Sequence, residues 1–257
     1  MRIIKHEKAK GWGDPWQRMG HSNDWSLGPL IGLDTETTSA LPQWARIVTS
    51  AIVLDIPGKE AQSWEWISDP GIPIELGATA IHGINDEYVQ MHGQKPDVVI
   101  REMLSVLTTL WQQYQCPLVT VNAPFDLTIM DREMQRLNMG TLDNVKLPPI
   151  IDTLCCDRRL DPYRRGRRTL TATLAAYELT ISGAHQAVND IKASIRLARK
   201  IADKYMQFAT CDLQLLQELQ RIAHKEWCEQ YESYKRLDTT GFVIASHGWP
   251  IQKFEDI

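Results

Sequence analysis

The sequence lacks the features that mark membrane, secreted and zinc-stabilised proteins. No apolar run approaches the ~20 residues that a helix needs to cross a bilayer, and the opening segment has no apolar centre of a secretory signal. Five cysteines without a C-x-x-C pair or a spaced framework predict reduced thiols and no structural zinc. We therefore expect a cytoplasmic protein that does not associate with a membrane.

The chain also has no internal repeat and no low-complexity tract, which excludes solenoid and fibrous architectures. What remains is an ordinary globular composition over 257 residues, of which 43% are apolar and 23% are charged. That length suits one large domain with extensions. We predict a polar N-terminal arm over residues 1–28, a main domain over residues 29–210, and a C-terminal amphipathic helix and tail over residues 211–257.

The main domain has the pattern of an α/β fold. Three short segments rich in β-branched and aromatic residues begin near Leu30, Arg46 and Gln62, and the short loops between them predict antiparallel strands. Residues 71–86 are predicted as a loop. The later predicted elements are strands within 117–122 and 148–153 and helices over 98–114, 127–137, 169–179, 187–208 and 213–237. This order predicts a mixed sheet, three antiparallel strands and then parallel strands, flanked by helices, with an extra C-terminal helix.

Two flanking segments each allow two interpretations. Trp12, Trp16 and Trp25 in the arm can stack on nucleic-acid bases or pack onto the protein surface. The C-terminal helix carries an apolar stripe from Leu216 to Tyr234, which can dock on the body or form a dimer seam. We favour packing on the body for both segments.

Asp34 and Glu36 lie two residues apart at the end of the first predicted strand. Alternation along a strand sends both carboxylates to the same face of the sheet. Two neighbouring negative charges are unfavourable unless a cation neutralises them, and a divalent metal ion is the simplest solution. The alternative is a solvated strand face that carries alternating acids.

Asp126 follows the apolar segment at 117–122, where a strand gives way to a helix. The carboxyl ends of neighbouring strands converge in an open α/β sheet, so Asp126 can approach the pair formed by Asp34 and Glu36. The alternative is a helix N-cap, since an Asp at this place can accept backbone N–H groups. This segment taken alone favours the cap.

His185 and Asp190 form a third candidate cluster. Five residues on a helix correspond to about 500° of rotation, so both can reach one site only if His185 lies in the loop before the helix. Gly183 is consistent with such a loop. The alternative is a hydrogen-bonded structural histidine near a helix start.

These three segments together resemble a known set of motifs. LDTETT, VNAPFD and HQAVND, in this order, are similar to the three exonuclease motifs of the DnaQ-like 3′–5′ exonucleases, the histidine subclass of the DEDD superfamily. The segments IDT at 151–153 and AIHGI at 80–84 also resemble that family. The resemblance covers about residues 30–207, so it assigns the exonuclease domain to the main domain.

The resemblance implies an RNase H-like fold and a two-metal phosphodiesterase site. It implies that Asp34, Glu36, Asp126 and Asp190 hold two Mg²⁺ or Mn²⁺ ions and that His185 is the general base. It also implies substrate-binding residues, which are Thr35 and Thr37 at the 3′-terminal nucleotide together with Asn122 and Phe125. Val121 stands where the family often has His before its Asn, which affects substrate detail more than catalysis.

An arginine-rich segment lies between the second and third motifs. Residues 157–168 hold six arginines and two aspartates, a local charge of +4 in a chain of net charge −4. Guanidinium groups hold phosphates in a bidentate manner, so we expect this loop to overhang the site and bind the strand through Arg164, Arg165, Arg167 and Arg168. The alternative is a solvated loop whose arginines pair with acids.

The sequence thus predicts a metal-dependent 3′–5′ exonuclease that releases nucleoside 5′-monophosphates from the 3′ end of single-stranded DNA. Because no segment resembles a polymerase, proofreading would need a separate partner such as a polymerase or another replication or repair protein. The alternatives are an RNA-trimming exoribonuclease of the same superfamily, a catalytically idle nucleic-acid-binding module, and an interaction scaffold. The 2′-OH contacts that separate DNA from RNA cannot be placed from the sequence.

Overall fold

The computed structural model describes residues 24–181, 187–244 and 246–254. Its strands are β1 Leu30–Thr37, β2 Ile47–Asp55, β3 Gln62–Ile67, β4 Leu118–Thr120 and β5 Ile150–Asp152. Its helices are α1 Leu76–His82, α2 Asp86–His92, α3 Pro96–Tyr114, α4 Ala123–Arg136, α5 Thr153–Leu160, α6 Leu170–Ala176, α7 Ala187–Lys204, α8 Met206–Ala209 and α9 Leu213–Lys235. Within the described ranges, none of these helices is long and apolar enough to cross a bilayer.

The five strands form one mixed sheet in the order β3-β2-β1-β4-β5. The pairs β1/β2 and β2/β3 are antiparallel, and the pairs β1/β4 and β4/β5 are parallel. The predicted α/β class and mixed sheet, three antiparallel strands and then parallel ones, are therefore confirmed. Because β1, β4 and β5 run in the same direction, their carboxyl ends lie at one edge of the sheet.

Helices cover both faces of the sheet. Each face of the sheet has its own hydrophobic core, and alternate residues of β1 pack into one or the other. Ile31 and Leu33 face α3 and α4, whereas Leu30 faces α7. Gly32 lies on the α7 face, where an added Cβ atom would come within 2.2 Å of the Cγ2 atom of Ile191. The missing side chain at this position lets α7 pack directly against β1.

The loop predictions missed short helices. Residues 71–86 contain α1 and the start of α2, and the first part of the arginine-rich segment belongs to α5. These helices have only seven or eight residues, too few to show a clear apolar period. The long predicted helix over 187–208 is divided into α7 and α8.

Helix α9 packs against the main domain, which is the arrangement that we favoured from the sequence. Leu216 and Leu219 are buried in the core that includes Ile151 of β5 and the apolar face of α7, and Ala223 is also buried. The side chain of Gln217 bonds both the N–H and the C=O of Ile150, at 2.9 Å each. Gln220 accepts from the N–H of Asp152 at 2.8 Å and donates to the C=O of Ile150 at 2.8 Å. Two glutamine side chains thus occupy the hydrogen-bonding edge of β5.

The chain after α9 returns to the main domain. Trp249 and Ile251 join the core under α4, and the N–H of Gln252 donates to Thr128 Oγ1 at 2.8 Å. At the other end, Trp25 is buried, donates through Nε1 to the C=O of Phe208 at 2.9 Å, and packs edge-on against its ring. Trp25 therefore packs on the protein surface, whereas Trp12 and Trp16 lie outside the described residues.

The cysteines behave as the composition predicts. All five are buried free thiols. Burial raises the pKa of the Cys116 and Cys211 thiols to about 11, so both are protonated at neutral pH.

Candidate metal centre and adjoining cleft

Three of the predicted acids converge at the carboxyl end of β1. Asp34, Glu36 and Asp190 each offer a carboxylate oxygen, and these atoms lie within 4.8 Å of one another. Asp34 and Glu36 share the α7 face of β1, as their spacing predicts. Asp190, in the first turn of α7, precedes Ile191, which packs against Gly32. Close packing of helix and strand at Gly32 therefore brings Asp190 beside the pair.

Asp126 approaches from the other face of the sheet, on α4. Its Oδ1 atom accepts from the N–H of Thr35 at 3.1 Å and from Thr35 Oγ1 at 2.6 Å. The helix-cap alternative is wrong, because the N-cap residue of α4 is Asn122 and Asp126 lies inside the first turn. Asp126 is 3% exposed, and its bonds to Thr35 fix it between the two residues of the Asp34 and Glu36 pair.

Burial, and for two of the acids the charges of their neighbours, perturb the ionisation of this cluster. Burial and then the charges of Asp126, Glu36 and Asp190 raise the pKa of Asp34 well above its usual range. Burial, then Asp190 and Asp126, raise the pKa of Glu36 to about 7. Burial likewise raises the pKa of Asp126 to about 7, although its bonds to Thr35 oppose the shift. The protein thus holds carboxylates together at a cost that a cation would remove.

A neighbouring aspartate organises the start of α4. Asn122 has a left-handed backbone with φ 63°, which Asn tolerates better than most residues, and this turns the chain sharply out of β4. The N–H groups of Asn122 and Ala123 both donate to the carboxylate of Asp152 at 3.0 Å. Asp152 also accepts from the N–H groups of Leu154 and Cys155 at 3.1 Å, as the N-cap of α5. The IDT segment therefore positions Asp126 through Asp152.

A cleft of about 400 Å³ adjoins Glu36. Thr35, Thr37 and Phe125, three of the predicted substrate-binding residues, line it. The Thr35 hydroxyl donates to Asp126 and the Thr37 hydroxyl donates to the C=O of Ser39 at 2.8 Å, so both hydroxyl protons are already used within the protein. The two threonines shape the wall of the cleft and hold Asp126.

His82 lies in the cleft, although the sequence did not predict it as a site residue. It lines the same cleft and also a second cavity, of about 660 Å³, whose wall likewise includes Glu36. Its Nε2 atom lies 3.3 Å from the C=O of Thr37, and burial lowers its pKa, so the ring is neutral at pH 7. The AIHGI segment, which contains His82, resembled the family in the sequence, but only the fold shows that it lies beside Glu36.

The expectation that the arginine-rich loop overhangs the site is wrong. The loop is tied to the far end of α7, where Lys204 Nζ lies 3.5 Å from Asp161 Oδ2 and Arg168 donates to the C=O of Asp161 at 2.7 Å. Lys204 follows Asp190 by 14 residues in this helix. At 1.5 Å per residue, about 21 Å of helix separates the loop from the acids.

The four arginines of this loop divide into two pairs. Arg164 and Arg168 bond to the carboxylate of Asp157, which is 0% exposed, at 2.8 and 2.5 Å. The ion-pair alternative therefore holds for these two residues. Arg165 and Arg167 are exposed and make no ion pair with another described residue. Phosphate contact stays a prediction for this second pair alone.

The predicted general base, His185, lies outside the described residues. The described part of α7 begins at Ala187, two residues beyond it. Its role therefore stays a prediction based on the motif.

A mixed five-stranded sheet with acids at the carboxyl ends of β1 and in the helices on both faces defines the class of protein as an α/β, RNase H-like nuclease fold. Residues 31–198 match the RNase_T family model, described as exonuclease. The chain belongs to this exonuclease family, and the predicted family relationship is confirmed.

Curated relatives cover the same region. The DNA polymerase III PolC-type protein of Lacticaseibacillus paracasei is 28% identical over 180 residues, which are 69% of this chain and 11% of that protein. The Streptococcus agalactiae (serotype III) protein of the same name is 29% identical over 172 residues, 65% of this chain and 11% of that protein. The chain therefore spans about a tenth of the length of these relatives.

Solved structures share the fold. E. coli exonuclease I in complex with a dA16 oligonucleotide has a TM-score of 0.58 and 16% identity, over 70% of this chain and 42% of that one. The zinc-bound form of an E. coli exonuclease I complex with single-stranded DNA has a TM-score of 0.58 and 16% identity, over 82% of this chain and 45% of that one. At this identity the likeness establishes the fold alone.

Proposed function

We propose that the chain is a metal-dependent 3′–5′ exonuclease that removes nucleoside 5′-monophosphates from single-stranded DNA. The observation that carries the proposal is the convergence of the Asp34, Glu36 and Asp190 oxygens within 4.8 Å beside a cleft that can hold a nucleotide. Similar structures bind single-stranded oligonucleotides, which supports the choice of polymer.

The donor set fits two magnesium or manganese ions, held by Asp34, Glu36, Asp126 and Asp190. All the proposed ligands are carboxylate oxygens, which these hard cations prefer. Burial first, and then the charges of Asp190 and Asp126, raise the pKa of Glu36 to about 7, and a bound cation would favour its ionised form. When bound, two such ions would neutralise charge on the attacking and leaving sides of the phosphodiester. His185 would accept the proton of the attacking water. Thr35 would keep Asp126 in place, and Phe125 would stack on a base.

The experiment is a degradation assay on one sequence made as DNA and as RNA, labelled in turn at the 5′ end and at the 3′ end. The proposal expects stepwise shortening of the 5′-labelled DNA with Mg²⁺ or Mn²⁺, none with EDTA, and release of labelled mononucleotide from the 3′ end. Faster loss of RNA would favour the RNA-trimming alternative. Binding without metal-dependent shortening would favour the idle module.

We also propose a partner and a cellular compartment for this protein. Relatives named DNA polymerase III PolC-type support an association with replication, since each carries the matched segment within a much longer chain. A cytoplasmic location remains our proposal for the chain. Co-purification with a polymerase that persists in Asp34→Ala would separate a scaffold role from catalysis.

A further inference from the structure

The C-terminal tail forms one wall of a cavity next to the cleft. This cavity, of about 280 Å³, lies between the loop after β1, the start of α4 and the tail. Ala40 and Phe125 line both this cavity and the cleft beside Glu36. The tail contributes Ile244, Gln252 and Phe254 to the opposite wall. The two spaces are therefore neighbours that meet at Phe125.

The tail is fixed in this position by buried contacts. Trp249 Nε1 donates to Asp152 Oδ2 at 3.1 Å, which ties the tail to the same carboxylate that orients the start of α4. The N–H of Gln252 donates to Thr128 Oγ1 at 2.8 Å. Both anchors connect the tail to α4 or its N-terminus, so they hold this wall of the cavity against the start of α4.

The lining suits an uncharged planar ring with polar edges. Phe125 and Phe254 are the aromatic residues of the lining, and none of the described residues that line the cavity is charged. Arg132, which does not line the cavity, lies over the Phe254 ring with its Cζ atom 5.7 Å from the ring centroid, so a base would stack on the opposite face. The side-chain amides of Gln43, Asn122 and Gln252 make no hydrogen bond with another described residue, although all three line the cavity. A nucleobase combines a stacking face with donor and acceptor edges, and it matches this lining.

We propose that the tail cavity binds the base of the second nucleotide from the 3′ end, with Gln252 and Phe254 as specific contacts. This inference rests on the proposed function, which places the terminal nucleotide in the cleft and the bond to be cut at the acids. Phe125 immediately precedes Asp126, so a strand that passes the acids next meets Phe125 and the space beyond it. The tail lies outside residues 31–198, so this wall is additional to the family match.

The test compares Phe254→Ala and Gln252→Ala with Lys253→Ala, a neighbour in the tail whose side chain is 71% exposed. Each protein receives three single strands, of which one is intact, one lacks the base of the second nucleotide, and one lacks the base of the third. Release of the 3′-terminal nucleotide in the first turnover gives kcat/KM, and fluorescence anisotropy in EDTA gives the affinity for the same strands.

For the wild type and Lys253→Ala, loss of the second base should lower kcat/KM by about 5- to 150-fold, the range measured for base stacking on an aromatic ring. Phe254→Ala should already show this loss of kcat/KM on the intact strand, and removing the second base should lower its kcat/KM by less than about a further twofold. On the strand that lacks the second base, Phe254→Ala and the wild type should therefore have similar kcat/KM values, which would show that the variant is folded. Loss of the third base should lower all four proteins alike.

If Phe254→Ala and loss of the second base each lower kcat/KM, and the two fold-losses multiply when the changes are combined, the side chain and the base act independently. That result would overturn the proposal. If Phe254→Ala is inactive on every strand, the same comparison of intact and base-free strands with Gln252→Ala tests the proposal. If the wild type degrades no strand with either metal, the proposed exonuclease function fails. The anisotropy data would still decide on the cavity, because only occupation by the second base makes wild-type affinity depend on that base and Phe254→Ala affinity independent of it.

Discussion

The acidic side chains at the ends of β5 and β1 lie at the same edge of the sheet and are surrounded in opposite ways. At the end of β5, Asp152 is 1% exposed and accepts hydrogen bonds from four backbone N–H groups and the Trp249 indole. At the end of β1, the carboxylates of Asp34 and Glu36 receive no hydrogen bond from another described residue and face Asp190 instead. Local donors surround the first carboxylate, whereas burial and neighbouring negative charges raise the pKa of Asp34 and Glu36 in the second group. The arrangement of donors thus separates a structural acid from candidate metal ligands.

The largest expected effect is on catalysis. Asp34→Asn removes one charge from the cluster without removing a structural hydrogen bond, so exonuclease activity should fall by about 10³-fold while the chain stays folded. Metal-dependent release of mononucleotides and a thermal melt of the same sample measure both properties. Asp203→Asn, with a side chain 77% exposed on α7, is the control and should change neither. Retained activity in Asp34→Asn would contradict the metal-ligand assignment.

The second prediction concerns the structural acid. Asp152→Ala leaves five donors without their acceptor, so the free energy of unfolding should fall by about 3 to 5 kcal/mol. Urea unfolding followed by circular dichroism measures this loss, and Asp203→Ala should cost at most about 0.5 kcal/mol. A loss of less than about 1 kcal/mol would show that Asp152 does not hold the strand ends together.

The third prediction follows from the raised carboxyl pKa values. Because Glu36 and Asp126 titrate near pH 7 in the fold and near 4.5 and 3.8 in a free chain, the folded state binds more protons between these limits. Without divalent ions, the stability contributed by these groups is therefore present below about pH 4 and is lost as the pH rises towards 7. Glu36→Gln should weaken this dependence and raise the melting temperature at pH 8 by about 2–4 °C, for a gain of about 1 kcal/mol.

Melting curves between pH 4 and 8 in EDTA test this expectation, with Asp203→Asn as the control. Adding Mg²⁺ or Mn²⁺ should stabilise the wild type at pH 8 more than at pH 6 and should have less effect on Glu36→Gln. If the stability of the wild type and that of Glu36→Gln changed equally between pH 4 and 7, the raised pKa of Glu36 would be contradicted.

The smallest expected effect concerns the arginine-rich loop. Arg165→Ala combined with Arg167→Ala should leave stability unchanged and lower by up to about 2 the slope of log affinity against log salt, one unit for each lost phosphate contact. This change should occur only with strands long enough to reach about 21 Å from the acids. Arg164→Ala is the contrast, because it weakens the ion pairs of buried Asp157 and should destabilise the fold. An equal effect on short and long strands would contradict the position of the loop.

Most of the fold could be predicted from the sequence because its elements have strong local patterns. The alternation in β1 placed Asp34 and Glu36 on one face, and the helical periods located α3, α7 and α9. What failed depended on tertiary contacts. Arg164 and Arg168 look like phosphate ligands in the sequence, since nothing there shows that Asp157 is buried between them. Asp126 looks like a helix cap because its acceptor role towards Thr35 links residues 91 positions apart.

The glutamine side chains that occupy the edge of β5 limit how this protein can associate. An unprotected parallel edge offers a template on which a strand from another molecule can add, and this is a common start of aggregation. Here Gln217 and Gln220 fill those positions from a helix that lies outside the matched exonuclease region. A version of the chain that stopped before α9 would therefore lose solubility as well as a helix, even with its acids intact.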